Sequence, residues 1–347
     1  MDFDALIAAV TAQSKVLSGF RAPLLAGLVA LAVSWILTPW VRRLAIDKGA
    51  VDDPKRDDRR IHKEPLPRWG GLAIYAGMAV ALLAVMPFAS PKQPFPPYLI
   101  GILLIGAVLV VVGALDDLYQ FSAKIQLLVL LLAGVGIQFF TGLTSGTIQI
   151  KSLGIPLSEP PSYVAFAPWA AILITAIYIF IVTKTMDTID GVDGLAAGIA
   201  TISAATLVIV AVVGAQPRAA ILGAAVAGAS LGFLKHNYNP AKIIMGTGGA
   251  YILGFTLACL SIIGAVKTVA AISLVVPILV FGVPIFDAFF VITRRLIARQ
   301  PITQADKRHL HHTLLGKGLS QRQTVFVLYI AAAALCGLFI FLVKSRA

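Results

Sequence analysis

The sequence predicts an all-α, polytopic membrane protein, and its composition and its long apolar runs both support this fold class. Of the 347 residues, 59% are hydrophobic and 13% are charged, whereas charged residues make up about 25% of a typical soluble domain. Crossing the hydrocarbon core takes about 20 mostly apolar residues per helix. Ten such runs lie near 22–41, 70–89, 98–115, 122–141, 164–183, 194–213, 218–234, 249–266, 268–292 and 322–343. We therefore expect about ten transmembrane helices.

The chain is predicted to form one integral membrane domain over residues 1–347. Residues 1–21 contain Asp2 and Asp4 and are expected to form an amphipathic lead-in before the first span. A cleavable signal peptide is not predicted, because its first residues would be basic rather than acidic. Internal repeats and low-complexity tracts are not apparent in the sequence.

Basic residues are distributed unevenly between the two sets of loops. Ten spans put both termini on one side of the membrane. Most of the 28 Lys and Arg residues lie in the loops that follow the odd-numbered spans. By the positive-inside rule, these loops are cytoplasmic and both termini are outside. The net charge of +12 is therefore mainly a topology signal, and nucleic-acid binding is not predicted.

Reactive side chains gather in the same predicted cytoplasmic loops. These loops hold all five histidines and every acidic residue except Asp2, Asp4, Glu159 and Asp287. A transporter must expose binding groups to both faces and usually places them near the bilayer midplane. The one-sided distribution favours an enzyme that works at the cytoplasmic interface. A transporter or a lipid-head-group binding protein without turnover is the alternative.

The loop after the first span combines cations with prolines and glycines. Its first half, up to Arg60, is explained as a solvated, mixed-charge segment. His62, Lys63 and Arg68 instead lie in a proline-rich stretch that leads directly into the second span. Cations held in such a stiff segment can bind a phosphate, and Arg is suited to bidentate contact.

Two adjacent aspartates, Asp116 and Asp117, stand at the end of the third apolar run, in the very short predicted loop that follows it. Paired carboxylates repel each other and need a cation or a shared proton. Lys124 is the nearest cation in the sequence, so the pair is either an interfacial ion pair with Lys124 or a site that binds a divalent metal or accepts a proton.

The fifth loop contains three aspartates at positions i, i+3 and i+6, namely Asp187, Asp190 and Asp193. On a helix this spacing places all three on one face. Lys184 is the only cation nearby in the sequence, so a divalent ion or a substrate cation is the expected partner. Hard oxygen ligands suit Mg²⁺, which also uses water and phosphate as ligands.

The seventh loop carries polar residues just before a glycine-rich start of the eighth span. The polar residues are Asn237, Asn239 and Lys242, and the glycines are Gly246, Gly248 and Gly249. Glycines at a helix N-terminus let backbone amides approach an anion. Close packing of helices also uses glycine, so both explanations stay open.

The ninth predicted loop, 293–321, contains an H-x-H-H motif formed by His309, His311 and His312. Arg294 lies at the start of the same loop. A zinc site would have fewer cations around it. Histidines beside arginines are instead expected to donate hydrogen bonds to phosphate oxygens.

Asp287 lies inside the ninth predicted span. A buried acid within a membrane helix is a functional candidate. Pro277 and Pro284 predict a broken helix here, whose freed amides, or Arg294, could satisfy the carboxylate. A functional and a structural role both stay open.

Together these segments resemble the polyprenyl-phosphate N-acetylhexosamine-1-phosphate transferase family. The matching stretches are R-x-x-H-K-x-P-x-P-R-x-G-G, L-D-D-x-x-x-x-S-A-K, I-D-G-x-D-G-L-A, N-x-N-P-A-K-x-x-M-G and D-x-x-H-x-H-H. The resemblance implies ten or eleven helices and transfer of a sugar 1-phosphate from a UDP-sugar to polyprenyl phosphate, with release of UMP. The separated H-x-H-H followed by G-L-S-x-R-Q is similar to the branch that uses UDP-GlcNAc and undecaprenyl phosphate. A different UDP-N-acetylhexosamine donor stays open.

The resemblance also implies a location and a cofactor. The protein is expected in the bacterial inner (plasma) membrane, with a cytoplasmic active site, initiating synthesis of an envelope glycan such as lipopolysaccharide or teichoic acid. Mg²⁺ is the expected cofactor, and Mn²⁺ is a substitute. Besides the nucleotide sugar, the lipid phosphate and the bilayer, a homodimeric partner stays open.

Roles for individual residues follow from the same resemblance. Catalytic roles are expected for Asp116, Asp117 and Asp193. The metal site is expected to include Asp116, Asp117, Asp190, Asp193 and the position of Thr247. Substrate contacts are expected from His62, Lys63, Arg68, Lys124, Asp187, Asp190, Asn237, Asn239, Lys242, Arg294, His309, His311 and His312.

Two positions depart from the family pattern. Relatives carry a metal-binding Asp after Met-Gly, where this chain has Thr247, and they commonly carry Asn where it has Asp187. A threonine oxygen is a weaker Mg²⁺ ligand than a carboxylate. The enzyme is therefore impaired, rebuilds the site from its other acids, or carries an introduced change. Asp187 either compensates at the metal or pairs with Lys184.

Overall fold

The computed structural model describes residues 18–52, 64–141, 147–155, 162–265, 279–299 and 309–344. Its helices are α1 Arg21–Asp47, α2 Gly70–Ala89, α3 Pro97–Tyr119, α4 Ala123–Gly136, α5 Pro168–Ile189, α6 Leu195–Val213, α7 Pro217–Asn237, α8 Gly246–Ala265, α9 Gly282–Ile297, α10 Leu310–Gly316 and α11 Gln321–Lys344. Within the described residues, eight helices are long and apolar enough to cross a membrane, namely all except α4, α9 and α10. The predicted helical, polytopic membrane fold is confirmed.

The two remaining predicted spans differ from expectation. The run predicted over 122–141 forms α4 and continues as a short 3₁₀ turn, Ile137–Phe139. The run predicted over 268–292 lies partly outside the described residues, and its described part, α9, continues to Ile297. A total of ten spans and an outside location for both termini stay predictions, and most of the lead-in over 1–21 lies outside the described residues.

Two small antiparallel strand pairs connect the helices. Strand β1, Val51–Asp52, pairs with β2, Leu66–Pro67, just before α2. Strand β3, Ser152–Ile155, pairs with β4, Ser162–Ala165, between α4 and α5. The first pair lies at the end of the bundle that holds the candidate site, and the second lies at the opposite end.

Helix α8 is the centre of the bundle. Nearly all of its membrane-length segment is buried, and it packs against α2, α3, α5, α6 and α7. Close approach near its start depends on glycines. A Cβ added to Gly71 would lie 2.2 Å from the Gly249 nitrogen, and one added to Gly113 would lie 2.3 Å from the Gly248 Cα. Contact through small residues is a common way for membrane helices to pack, and here it fixes the start of α8 against α2 and α3.

Candidate functional site

Asp116 and Asp117 lie in the last turn of α3 rather than in a loop. The helix continues to Tyr119 because its backbone hydrogen bonds persist beyond the end of the apolar run. Both aspartates are buried, at 7% exposure each. Asp116 Oδ1 accepts a hydrogen bond from the Phe121 amide at 2.7 Å, and both carboxylate oxygens of Asp116 accept from Gln126 Nε2 at 3.2 Å. These bonds hold Asp116 against the turn that leads into α4.

Asp117 is paired with a residue far away in the sequence. Arg68 Nε lies 3.0 Å from Asp117 Oδ1, and Arg68 Nη1 lies 3.3 Å from Asp52 Oδ1. Backbone bonds fix this arginine in place, since the Arg68 amide donates to the Ala50 carbonyl at 2.8 Å. Asp117 Oδ2 is buried and has no hydrogen-bond partner among the described residues. A buried carboxylate oxygen without a donor is costly, so this atom is suited to hold a bound cation.

The start of α8 faces these two aspartates. The Thr247 amide donates to Asp117 Oδ1 at 3.1 Å, and Thr247 Oγ1 donates to Asp116 Oδ2 at 3.0 Å. The Gly246 amide also favours the charged form of the Asp190 carboxylate. The Thr247 amide at the start of α8 is therefore satisfied by a protein carboxylate. Because Gly248 and Gly249 contact the backbones of neighbouring helices, the helix-packing explanation holds for these two glycines.

The expectation that Asp187, Asp190 and Asp193 share one helix face is wrong. Helix α5 ends at Ile189, so Asp187 is helical, Asp190 is the residue after the helix, and Asp193 lies in the following turn. The turn that follows α5 ends at Gly194, the residue before α6, which adopts a left-handed conformation with φ of 81° that glycine permits at little cost. The three carboxylates therefore point to different neighbours.

Asp187 and Asp190 remain near the pair on α3. Lys184 Nζ lies 2.6 Å from Asp187 Oδ2 and donates to Gln126 Oε1 at 2.8 Å, so Gln126 links Lys184 to Asp116. Burial and the neighbouring Asp187 carboxylate raise the pKa of Asp190 well above its ordinary range, although Arg68 and the Gly246 amide oppose this shift. We call Asp116, Asp117, Asp187 and Asp190 the acid cluster.

Asp193 belongs to a separate group of contacts beside the acid cluster. Its Oδ2 accepts hydrogen bonds from Asn239 Nδ2 at 3.0 Å and from the Ala241 amide at 3.1 Å. The neighbouring Asn237 is buried, and its Oδ1 accepts from the Gly194 amide at 3.0 Å. Asp193, Asn237 and Asn239 thus join the turn before α6 to the segment between α7 and α8.

The H-x-H-H motif begins the short helix α10. His309 Nδ1 lies 2.8 Å from Asp287 Oδ2, and the ring of His309 stacks on that of His311 with centroids 5.7 Å apart. A Cβ added to Gly191 would lie 3.1 Å from His311 Nε2. His311 therefore lies directly against the loop that follows Asp190.

His311 is expected to make the protein less stable in mild acid. Burial and the neighbouring His312 lower the pKa of His311 to about 3. The unfolded chain takes up a proton near pH 6.5 while the folded protein does not, so stability is full above pH 6.5 and falls as the pH decreases. Between pH 7 and pH 5 we expect a loss of about 2 kcal/mol. Thermal unfolding measured at pH 7 and pH 5 should show that His311→Gln loses less stability between the two pH values than the wild type does. An equal loss in the two proteins would contradict the role given to His311.

The structure brings together most of the predicted site residues. The acid cluster, Arg68, Thr247, His309, His311 and His312 surround the ends of α3 and α5 and the start of α8. Lys124, Lys242 and Arg294 are exposed. Asp117 pairs with Arg68, and not with Lys124, which was one of the two alternatives that the sequence left open. His62 and Lys63 lie outside the described residues.

Some residues that support the site were not among the site residues predicted from the sequence. Gln126 connects Asp116 to Lys184, and Tyr329 on α11 donates to the Gly194 carbonyl at 2.6 Å. Arg322 donates to the Asn239 carbonyl through Nη2 at 2.9 Å. Each is an ordinary polar residue at the end of, or within, an apolar run. Only the three-dimensional contact reveals what these residues hold.

The acid cluster offers oxygen atoms of the kind that a magnesium ion uses as ligands. Over the described ranges, no three His, Cys, Asp or Glu side chains are arranged to hold a metal by themselves. Mg²⁺ does not need such a cage, because it usually binds one or two carboxylates and takes its other ligands from water and substrate phosphates. The unpaired Asp117 Oδ2 and the hydroxyl oxygen of Thr247 are hard oxygen donors of the required kind.

Comparison with known proteins gives a consistent result. The family model of glycosyl transferase family 4 matches residues 99–265. A Bacillus subtilis (strain 168) protein described as a probable undecaprenyl-phosphate N-acetylglucosaminyl 1-phosphate transferase is 38% identical over 304 residues, covering 87% of this chain and 80% of the relative. A decaprenyl-phosphate N-acetylglucosaminephosphotransferase of Mycolicibacterium smegmatis (strain ATCC 700084 / mc(2)155) is 30% identical over 339 residues, covering 88% and 78%.

A more distant relative has the same kind of name. The undecaprenyl-phosphate alpha-N-acetylglucosaminyl 1-phosphate transferase of Escherichia coli (strain K12) is 27% identical over 314 residues, covering 86% of this chain and 78% of the relative. These relatives favour the enzyme over the transporter alternative. The grouped carboxylates, the histidine helix and the extent of the similarity together show that the chain belongs to the polyprenyl-phosphate N-acetylhexosamine-1-phosphate transferase family and is a glycosyl-1-phosphate transferase.

Proposed function

We propose that the protein transfers GlcNAc-1-phosphate from UDP-GlcNAc to undecaprenyl phosphate and releases UMP. The reaction takes place at the cytoplasmic face of the bacterial inner membrane and begins the synthesis of an envelope glycan. The names of the relatives support the class of reaction and of lipid. The donor, the metal, the membrane face and a homodimeric assembly are proposals for this chain.

One observation carries the proposal. The acid cluster lies where α3, α5 and α8 meet, and Asp117 Oδ2 is buried there without a hydrogen-bond partner among the described residues. A group of carboxylates with one unpaired oxygen favours a divalent cation, and a divalent cation is the usual partner of a nucleotide diphosphate.

The reaction joins two anionic phosphates, so catalysis depends mainly on positioning and charge neutralisation. An oxygen of the lipid phosphate attacks the sugar-bearing phosphorus of the donor. The bond from that phosphorus to the bridging oxygen breaks, and UMP leaves with that oxygen. Arg68, Lys184 and the histidines of α10 supply positive charge or hydrogen-bond donors around this position. Because a phosphate monoester has its second pKa near about 6, it ionises readily and we propose direct displacement.

Asp116, Asp117 and Asp190, with Asp193 and Thr247 nearby, are the residues that would hold Mg²⁺. The bound ion would neutralise the negative charge of the diphosphate. Arg68 fixes the orientation of Asp117 through the ion pair at 3.0 Å. Gln126 fixes Asp116.

The test is UMP release by the purified full-length chain in detergent. We expect release from UDP-GlcNAc only when both Mg²⁺ and polyprenyl phosphate are present, with Mn²⁺ as a weaker substitute. Asp117→Asn should remove most of the activity, because the unpaired carboxylate oxygen is lost. A panel of UDP-N-acetylhexosamine donors identifies the preferred sugar.

Two results would contradict the proposal. UMP release from another donor in the panel but not from UDP-GlcNAc would reject the donor while keeping the reaction class. Radioactivity from labelled donor that stays covalently on an aspartate would replace direct displacement with a two-step route.

A further inference from the structure

We infer that Asp287 is a positioning residue that sets the tautomer of His309 and the location of the histidine helix α10. This inference rests on the proposed function for its kinetic consequence, but its structural basis is independent. It also decides the role of Asp287, which the sequence left open between structure and function.

The contact consists of two bonds from one carboxylate. Asp287 Oδ2 lies 2.8 Å from His309 Nδ1, and Asp287 Oδ1 accepts the Leu310 amide at 2.5 Å. Asp287 is 3% exposed, so water competes little for these bonds. His309 is the residue just before α10 and Leu310 is its first residue. The carboxylate on α9 therefore caps α10 in the way that acidic residues favour helix N-termini.

The effect of Asp287 reaches the acid cluster through the histidines. His309 stacks on His311 with ring planes 3° apart, and His311 lies against Gly191, next to Asp190. Helix α10 has only seven residues, too few to be stable by itself. Its position against the loop at Asp190 therefore depends on anchors such as Asp287.

The chemistry of the pair fixes the proton on His309. A carboxylate accepts hydrogen bonds only, so His309 must carry a proton on Nδ1 when it contacts Asp287. Nε2 is then an acceptor, free to take a hydrogen bond from a substrate group that carries a hydrogen, such as a sugar hydroxyl or the N-acetyl amide. An asparagine at 287 would still accept the Leu310 amide through its carbonyl, but its NH₂ group would face Nδ1. His309 would then have to accept at Nδ1 and carry its proton on Nε2, which is the wrong tautomer for the site.

The experiment uses Asp287→Asn in the full-length protein. ¹⁵N NMR of histidine-labelled protein, with His309 assigned by comparison with His309→Ala, reports which ring nitrogen is protonated. We expect protonation at Nδ1 in the wild type and at Nε2 in Asp287→Asn. We also expect turnover to fall by about tenfold or more, while the melting temperature changes little because the cap remains. Asp287→Glu should restore the Nδ1 proton and part of the turnover.

The control is Asp47→Asn, the same chemical change at an exposed acid at the end of α1, which should leave both readouts unchanged. A His309 that keeps its Nδ1 proton in Asp287→Asn would overturn the inference, and so would wild-type turnover in that variant. If the wild type itself releases no UMP, the proposed function fails, whereas the NMR comparison still tests the pairing of Asp287 with His309.

Discussion

Replacing Gly246 by alanine is expected to reduce turnover by at least about 100-fold. A Cβ at this position would lie 2.3 Å from Asp117 Oδ2, and the residue has φ of 72°. An alanine in this left-handed conformation costs roughly 1–2 kcal/mol, and its methyl group would displace the carboxylate. Because the Gly246 amide also favours the charged form of Asp190, the change disturbs two members of the acid cluster together.

The measurement is UMP release, compared with that of Gly337→Ala. Gly337 lies in α11 and has open space for a Cβ, so this control adds the same methyl group without a collision and should keep wild-type turnover. The geometry at Gly246 would be wrong if Gly246→Ala and Gly337→Ala were equally active.

The helices could be predicted well, because a helix that crosses the bilayer must consist of about 20 mostly apolar residues. The residues at which the helices end could not be predicted in this way. The apolar run of the third span stops before Asp116, whereas α3 continues to Tyr119. The fifth span likewise continues to Ile189. Backbone hydrogen bonds, rather than side-chain hydropathy, determine where a helix ends. For this reason the sequence placed Asp116 and Asp117 in a loop and placed Asp193 on a helix.

The membership of the site was predictable from residue type, but the pairing within it was not. Lys124 was the natural counter-charge for Asp117 by proximity in sequence, yet Arg68 makes the contact. The β1–β2 pair and backbone bonds to the segment before α8 bring Arg68 there; for example, the Ile244 amide donates to the Pro67 carbonyl. Such contacts between distant segments depend on the tertiary fold and leave no local pattern.

Thr247 is the position at which a single substitution is expected to improve the enzyme. Its hydroxyl donates to Asp116 Oδ2 at 3.0 Å, and its amide donates to Asp117. An aspartate here would lose the first bond and add a carboxylate beside two others. Without a divalent ion, the added repulsion should lower the melting temperature. With Mg²⁺, the extra ligand charge should tighten binding, by about tenfold or roughly 1.4 kcal/mol, and raise turnover.

Titrating Mg²⁺ against the melting temperature and against UMP release measures both effects in Thr247→Asp. Thr247→Asn is the matched control, since it has nearly the same shape as aspartate without the charge, and it should show neither the destabilisation in EDTA nor the gain with Mg²⁺. Identical Mg²⁺ dependence in the wild type and Thr247→Asp would place the metal away from Thr247. If Mg²⁺ binding and turnover improve only in Thr247→Asp, the wild-type acid cluster has room for one more charged ligand to Mg²⁺. Asp187 does not fill this role, because Lys184 Nζ already pairs with its Oδ2 at 2.6 Å.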